Sequence, residues 1–387
     1  MWRAGKRPSV GIVTIFDCDN YGAELQAYAL PQALRERGIE AFLIDYPFYK
    51  SPRFRRTALA APSFPLSPMN RIKERLMAWR RALQRRLAGD VVRRRAAAFA
   101  AFREAIPRTE PYLTFDALLK NPPSFDTYLT GSDQVWNPRM GATLRPYFLD
   151  FLPETAHRVA YAASFGVSTL PAAYEAQVRR WLARYAAISC RERTGAALAA
   201  RLCPDKDVAQ VLDPTLLLEA DTWRRIAKSP ASPRPYLLVY ELVSAPGLWP
   251  LAERWAAAQG LEIIRLCGSP CERPRPGVRS ICDAGPAEFV GLFANATAVV
   301  TTSFHGTVFS LLFSKPFYSV IPSGMSNADR QASLLATVDA SERLIPERDA
   351  PTLEPRDVPD WPAIQAALAQ ARAASLAFLE RNLCHGA

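Results

Sequence analysis

Two successive series of short apolar runs, each alternating with helical stretches, limit the folds open to this chain. The first series starts with a strand over 10–16 and a loop over 17–22. A helix over 23–37, stopped by Gly38, and a strand over 41–45 follow. Glycine just past a helix is a frequent stop because it takes the left-handed conformation without steric cost. Strand-like segments at 127–130, 159–163, 187–190 and 210–211 then alternate with helices near 171–186 and 194–202. The second series runs through strands at 236–242, 263–266, 278–281, 298–302 and 317–321. Its helices fall at 247–259 (stopped by Gly260), 286–294, 306–314 and 328–338. Strand–helix–strand repeats build parallel sheets with ligands at the strands' carboxyl ends. The pattern predicts an α/β protein with two Rossmann-like domains facing each other. The first covers 1–220 with a helical insertion over about 50–110, and a linker covers 221–235. The second covers 236–360, and a helix within 361–387 packs back.

The bulk numbers narrow the class further. No run of eighteen apolar residues occurs, so no spanning helix is expected. Residues 1–16 combine a basic head with a short apolar run, but Asp17-Cys18-Asp19-Asn20 follows where a leader would need small residues. That run is expected to be a buried strand. Seven scattered cysteines and three histidines argue against a zinc site and suggest free thiols in a reducing, cytoplasmic setting. The net charge of +11 sits in one place: residues 51–110 hold 15 Lys and Arg against 4 Asp and Glu, and the remainder is neutral. Within that segment Ile72, Leu76, Trp79, Leu83, Leu87 and Val91 recur at helical spacing. This is either a solvated basic face or a peripheral contact with anionic lipid at the inner membrane face. No nucleic-acid partner is expected.

The segment 299–313, Val-Val-Thr-Thr-Ser-Phe-His-Gly-Thr-Val-Phe-Ser-Leu-Leu-Phe, reads as a buried strand, a tight turn and a helix start. Backbone N–H groups and the helix dipole favour an anion there, so Ser303, His305, Gly306 and Thr307 are candidate site residues. A histidine merely capping its own helix is the plain alternative. Arg191 and Arg193 follow another strand and suit a phosphate or carboxylate, or else a surface ion pair. Ser132, Asp133 and Trp136 follow a third strand. Asp133 would orient a hydroxyl or act as a base, and Trp136 would offer a flat face to a sugar ring; a stabilised Asp turn is the alternative. Asn20, Tyr21 and Gly22 head the first helix. Asp17 and Asp19 resemble a metal pair, but too few hard ligands lie nearby for a metal to be expected.

Five of these segments, in this order, resemble the polysaccharide pyruvyltransferase family: Asn20 to Leu30, Gly131 to Trp136, Ser189 to Glu192, Leu212 to Leu217 and Thr302 to Thr307. The resemblance spans roughly 10–340. It implies a glycosyltransferase-B-like pair of Rossmann domains that transfer the enolpyruvyl unit of phosphoenolpyruvate to two hydroxyls of a saccharide or lipid-linked saccharide, forming a pyruvate ketal. By position, Arg191 is similar to the first-domain arginine that holds the donor, and His305 to the second-domain histidine beside it. Better-characterised branches read Arg-Leu-His where this chain reads Ser303-Phe304-His305, so Arg330 or Arg193 would have to supply the missing cation. In this scheme His305 protonates the donor and Asp133 accepts the hydroxyl proton, with no metal or cofactor required. A nucleotide-sugar glycosyltransferase and a non-catalytic saccharide- or phosphate-binding module are the competing readings.

Overall fold

The computed structural model describes residues 8–64, 89–229, 234–324, 328–355 and 358–383, with individual positions between 65 and 88. The first sheet contains β1 (Ser9–Val13), β2 (Glu40–Leu43), β3 (Thr127–Thr130), β4 (Arg158–Ala163), β5 (Ala187–Cys190) and β6 (Val208–Gln210). All pairs are parallel, in the order β2-β1-β3-β4-β5-β6. The second contains β7 (Tyr236–Tyr240), β8 (Glu262–Leu266), β9 (Arg279–Ile281), β10 (Ala298–Thr301), β11 (Phe317–Ile321) and β12 (Leu344–Pro346). Its order is β12-β11-β10-β7-β8-β9, the doubly wound arrangement of a dinucleotide-binding sheet. The central strands are buried along their whole length, which explains why they read as apolar runs rather than alternating ones. β12, Leu-Ile-Pro, escapes sequence reading because it is only three residues long; it lies on an edge and is only partly buried.

Helices cover both sheets: α1 (Tyr21–Arg35), α2 (Gly89–Glu104), α3 (Phe115–Lys120), α4 (Ala172–Ala183), α5 (Arg193–Leu202) and α6 (Ala220–Ile226), then α7 (Leu248–Gln259), α8 (Pro286–Asn295), α9 (Phe304–Leu312), α10 (Asp329–Thr337) and α11 (Trp361–Leu383). Gly38 (φ 77) and Gly260 (φ 63) take the left-handed conformation past α1 and α7, which ends both helices where expected. The stretch expected to link the domains opens instead with α6. Its Trp223 is buried, tilted against Tyr28 and edge-on to Phe309, so burial of one large side chain overrides the loop-like composition.

Helix α2 straps the two halves together. Arg95 is buried; its Nε donates to Asp19 Oδ1 at 2.6 Å, and its remaining groups reach Tyr21 and the carbonyls of Cys267 and Gly268. Arg94 pairs with Asp283 at 2.7 Å. Tyr21 donates to the Ala284 carbonyl at 3.0 Å and packs on Phe289. Helix α11 returns to the first half, where Arg372 donates to the Leu216 carbonyl and Ser375 accepts from the Leu212 N–H.

One cysteine expectation is overturned. Cys267 and Cys282 form a disulfide; they end neighbouring strands β8 and β9, a proximity hidden by their separation of fifteen residues. Asp17 meets Arg53 and Arg103, and Asp19 meets Arg95.

Candidate active site

Sheet order reverses between β1 and β3 in the first sheet and between β7 and β10 in the second. Such switch points open a crevice at the strands' carboxyl ends. Here the two crevices share one cleft of about 550 Å³, lined from the first half by Cys18, Asp19, Asn20, Gly22, Lys50, Asp133 and Gln134. From the second half it is lined by Tyr240, Leu242, Ser303, Phe304, His305, Arg330 and Gln331.

Two helix starts converge on this cleft. Asn20 caps α1 by accepting from the Ala23 N–H at 3.2 Å, and Ser303 caps α9 by accepting from the Gly306 N–H at 3.3 Å. Both helices therefore direct their positive dipole ends inward. They touch through Gly22 and His305: a Cβ on Gly22 would stand 2.0 Å from His305 Nδ1. Only glycine allows that approach.

The opposite edge of the His305 ring faces Asp213. Nε2 stands 3.7 Å from Asp213 Oδ2, which also accepts from Arg191 Nη1 at 2.7 Å and from the Ser132 hydroxyl at 3.2 Å. Asp213 Oδ1 accepts from the Thr215 backbone and hydroxyl. Burial by itself would raise the Asp213 carboxyl. His305, then Arg191 and Thr215, hold it far below the ordinary carboxylate range instead. Arg191 is 4% exposed, with Nη2 3.5 Å from Asp133 Oδ1, so it sits between two carboxylates behind the cleft wall. Asp133 itself is held at φ 73 three residues past β3, where it lines the cleft.

Arg330 is the arginine that lines the cleft directly. It stacks on Phe304, whose ring also carries Arg191, and its Nε is buried without a hydrogen-bond partner among the described residues. Burial, and then the charge of Arg191, lower its pKa from the ordinary value. Anion binding would relieve both effects.

The structure thus brings together Asn20, Gly22, Asp133, Ser303, His305 and Arg330. Arg193 is exposed at the start of α5, with its N–H on the Ser333 hydroxyl, and does not line the cleft. Trp136 offers no face to a sugar: it is 1% exposed, stacked on Phe148, with its indole N–H on the Tyr147 carbonyl. The aromatic surroundings that bury it come from segments distant in sequence. Tyr21 is consumed by the contact between the halves, Ser132 by Asp213, and Thr307 by Ser303 and Ser319. Gly306 makes room for Thr301, whose Oγ1 would lie 2.3 Å from a Cβ there. Asp213, Lys50 and Gln331 are among the residues that sequence reasoning missed. For Asp213 a signal existed, because an acidic residue three positions past a strand end and before Pro214 stands where Asp133 stands past β3.

The polysaccharide pyruvyl transferase family profile matches residues 20–324, most of the chain. No curated protein matches in sequence. Among solved structures, a UDP-N-acetylglucosamine 2-epimerase is similar at 9% identity and a TM-score of 0.52, covering 97% of this chain and 96% of that one. The UDP-GlcNAc 2-epimerase of Methanocaldococcus jannaschii, solved with UDP-GlcNAc and UDP, is 11% identical, with 98% and 100% coverage and a TM-score of 0.48. At such identities the first likeness bears on the fold alone: two facing Rossmann-like halves of the glycosyltransferase-B kind. The family match goes further, and the chain belongs to the polysaccharide pyruvyl transferase family, a family of transferase enzymes.

Proposed function

We propose that the cleft binds phosphoenolpyruvate and transfers its enolpyruvyl unit to two hydroxyls of a saccharide, on a polysaccharide or its lipid-linked precursor. The observation that carries this reading is the placement of His305 between two converging helix starts, beside a buried arginine with a free Nε. That is an anion site with a proton carrier built into it.

In this reading Arg330 and the helix starts hold the donor's phosphate and carboxylate, each charge-assisted bond contributing about 1.5–3 kcal/mol. Arg330 takes the place that the resemblance assigned to Arg191, because Arg191 is committed to Asp213. His305 delivers a proton to the donor's methylene carbon, and C2 becomes cationic. An acceptor hydroxyl adds to C2 while Asp133 takes its proton. A second hydroxyl then displaces phosphate and closes the ketal, its proton leaving with the phosphate as hydrogen phosphate, and the proton on Asp133 returns the site to its starting charge. Asp213 is a positioning residue: its carboxylate stands 3.7 Å behind Nε2 and backs the ring, while its bonds from Arg191, Ser132 and Thr215 hold that carboxylate in place.

The test is phosphate release from phosphoenolpyruvate in the presence of saccharide, with the ketal methyl group sought by NMR. His305→Gln should lower kcat by about 10²–10⁴-fold with donor affinity largely kept. Failure of phosphoenolpyruvate to bind, together with tight binding of a nucleotide sugar, would overturn the reading in favour of glycosyl transfer.

A further inference from the structure

The cleft leaves one prominent surface unexplained. Met69, Ile72, Leu76, Trp79 and Leu83 recur at spacings of three and four, and each is in helical conformation. Each is also exposed, from 41% at Leu83 to 72% at Met69, so the stripe faces outward along its length. This differs from α2, which follows it in the chain and buries Arg95, Phe99 and Phe102 against the rest of the molecule. Large apolar side chains aligned on one exposed helical face are rare in soluble proteins unless something covers them.

Charge identifies the cover. Residues 69–86 hold seven Lys and Arg against the single acid Glu74. A second copy seated on the stripe would bring two such basic segments together without acidic partners, and like-charge repulsion would oppose it. An acidic protein or polysaccharide would meet the charge but has no use for a continuous apolar stripe containing Trp79. An anionic bilayer surface satisfies both: its headgroups meet the basic residues, and its acyl boundary takes up the Met, Ile, Leu and Trp side chains. We propose that residues 69–86 are a peripheral membrane anchor, lying in the interface of an anionic leaflet with the stripe inserted. The anchor is carried immediately before α2, which is pinned to both halves of the cleft through Arg94 and Arg95, so docking would hold the catalytic body at the membrane surface. The proposal stands independently of which donor the cleft takes.

The experiment is co-sedimentation of the full chain with vesicles of phosphatidylcholine plus phosphatidylglycerol, beside vesicles of phosphatidylcholine alone. Binding is expected to the mixed vesicles only, and to weaken with added salt. Each basic residue near an anionic leaflet strengthens binding on the order of fivefold, so reversing Arg80, Arg81 and Arg85 to glutamate should weaken it by about 100-fold. Leu76→Glu with Trp79→Glu should abolish binding even though every basic residue remains. Thermal melting should be unchanged in both variants, because the substituted apolar positions are exposed. Equal binding to neutral vesicles, no binding to either, or indifference to the Leu76 and Trp79 changes would overturn the proposal. So would a concentration-dependent dimer that Leu76→Glu dissociates, because self-association would then be the cover.

Discussion

Replacing Gly22 with alanine tests the point where the two halves of the cleft touch. The added Cβ would stand 2.0 Å from His305 Nδ1, 2.4 Å from Cε1 and 2.7 Å from Cγ, whereas ordinary contact begins near 3.4 Å. The imidazole must therefore retreat by more than 1 Å, or the starts of α1 and α9 must separate by as much. Retreat is obstructed, since Asp213 stands behind the ring at 3.7 Å and Phe304 packs edge-on against it at 5.1 Å. Overpacking of this kind costs about 1–3 kcal/mol. A displacement of about 1 Å in a reacting group costs on the order of 10²-fold in rate. Urea unfolding and steady-state phosphate release should show both losses in Gly22→Ala. The decisive comparison is a double-mutant cycle with His305→Ala, which removes the ring and therefore the clash. In that background the stability cost of Gly22→Ala should disappear, leaving a coupling of about 1–3 kcal/mol. Additive stability losses would show that the two residues do not meet as described, and wild-type turnover in Gly22→Ala would remove His305 from the chemistry.

Arg330→Met should raise the donor KM by about 10–100-fold, the loss of one charge-assisted contact, whereas Arg193→Met should leave it unchanged. A donor KM that responds only to Arg193 would reverse the assignment. Asp213→Asn should lower kcat far more than it alters donor KM, and should cost up to about 3–5 kcal/mol in stability because Arg191 loses its closest buried partner. A stable Asp213→Asn enzyme with unchanged kcat would eliminate the positioning role. Glu24 is fully buried; burial raises it to about 7 despite Arg103 at 3.0 Å. A raised carboxyl stabilises the fold fully below its ordinary value near 4.5, and that contribution is lost as pH rises through 7. Between pH 5 and pH 8 the wild type should therefore lose on the order of 2 kcal/mol relative to Glu24→Gln in urea melts. A difference independent of pH would refute it.

The sequence by itself determined the parallel α/β class, the two series of strands and the helix stops at Gly38 and Gly260. These follow from local chemistry: buried parallel strands must be apolar throughout, and left-handed turns favour glycine. It also determined which strand ends carry polar residues, which is why Asp133, Ser303 and His305 could be picked out from their neighbours alone. What it could not decide was which of those side chains share a space. Tertiary structure turned Arg191 away from the cleft toward Asp213, brought Arg330 into it, and enclosed Trp136 among Phe148, Phe165 and Tyr185. It also joined Cys267 to Cys282 across neighbouring strands. Each of these outcomes depends on residues tens to hundreds of positions apart, or on strand pairing. The physical reason is common to all of them: hydrogen bonds, charge pairs and disulfides act over a few ångströms of space, and only the packed sheets decide which distant residues come that close.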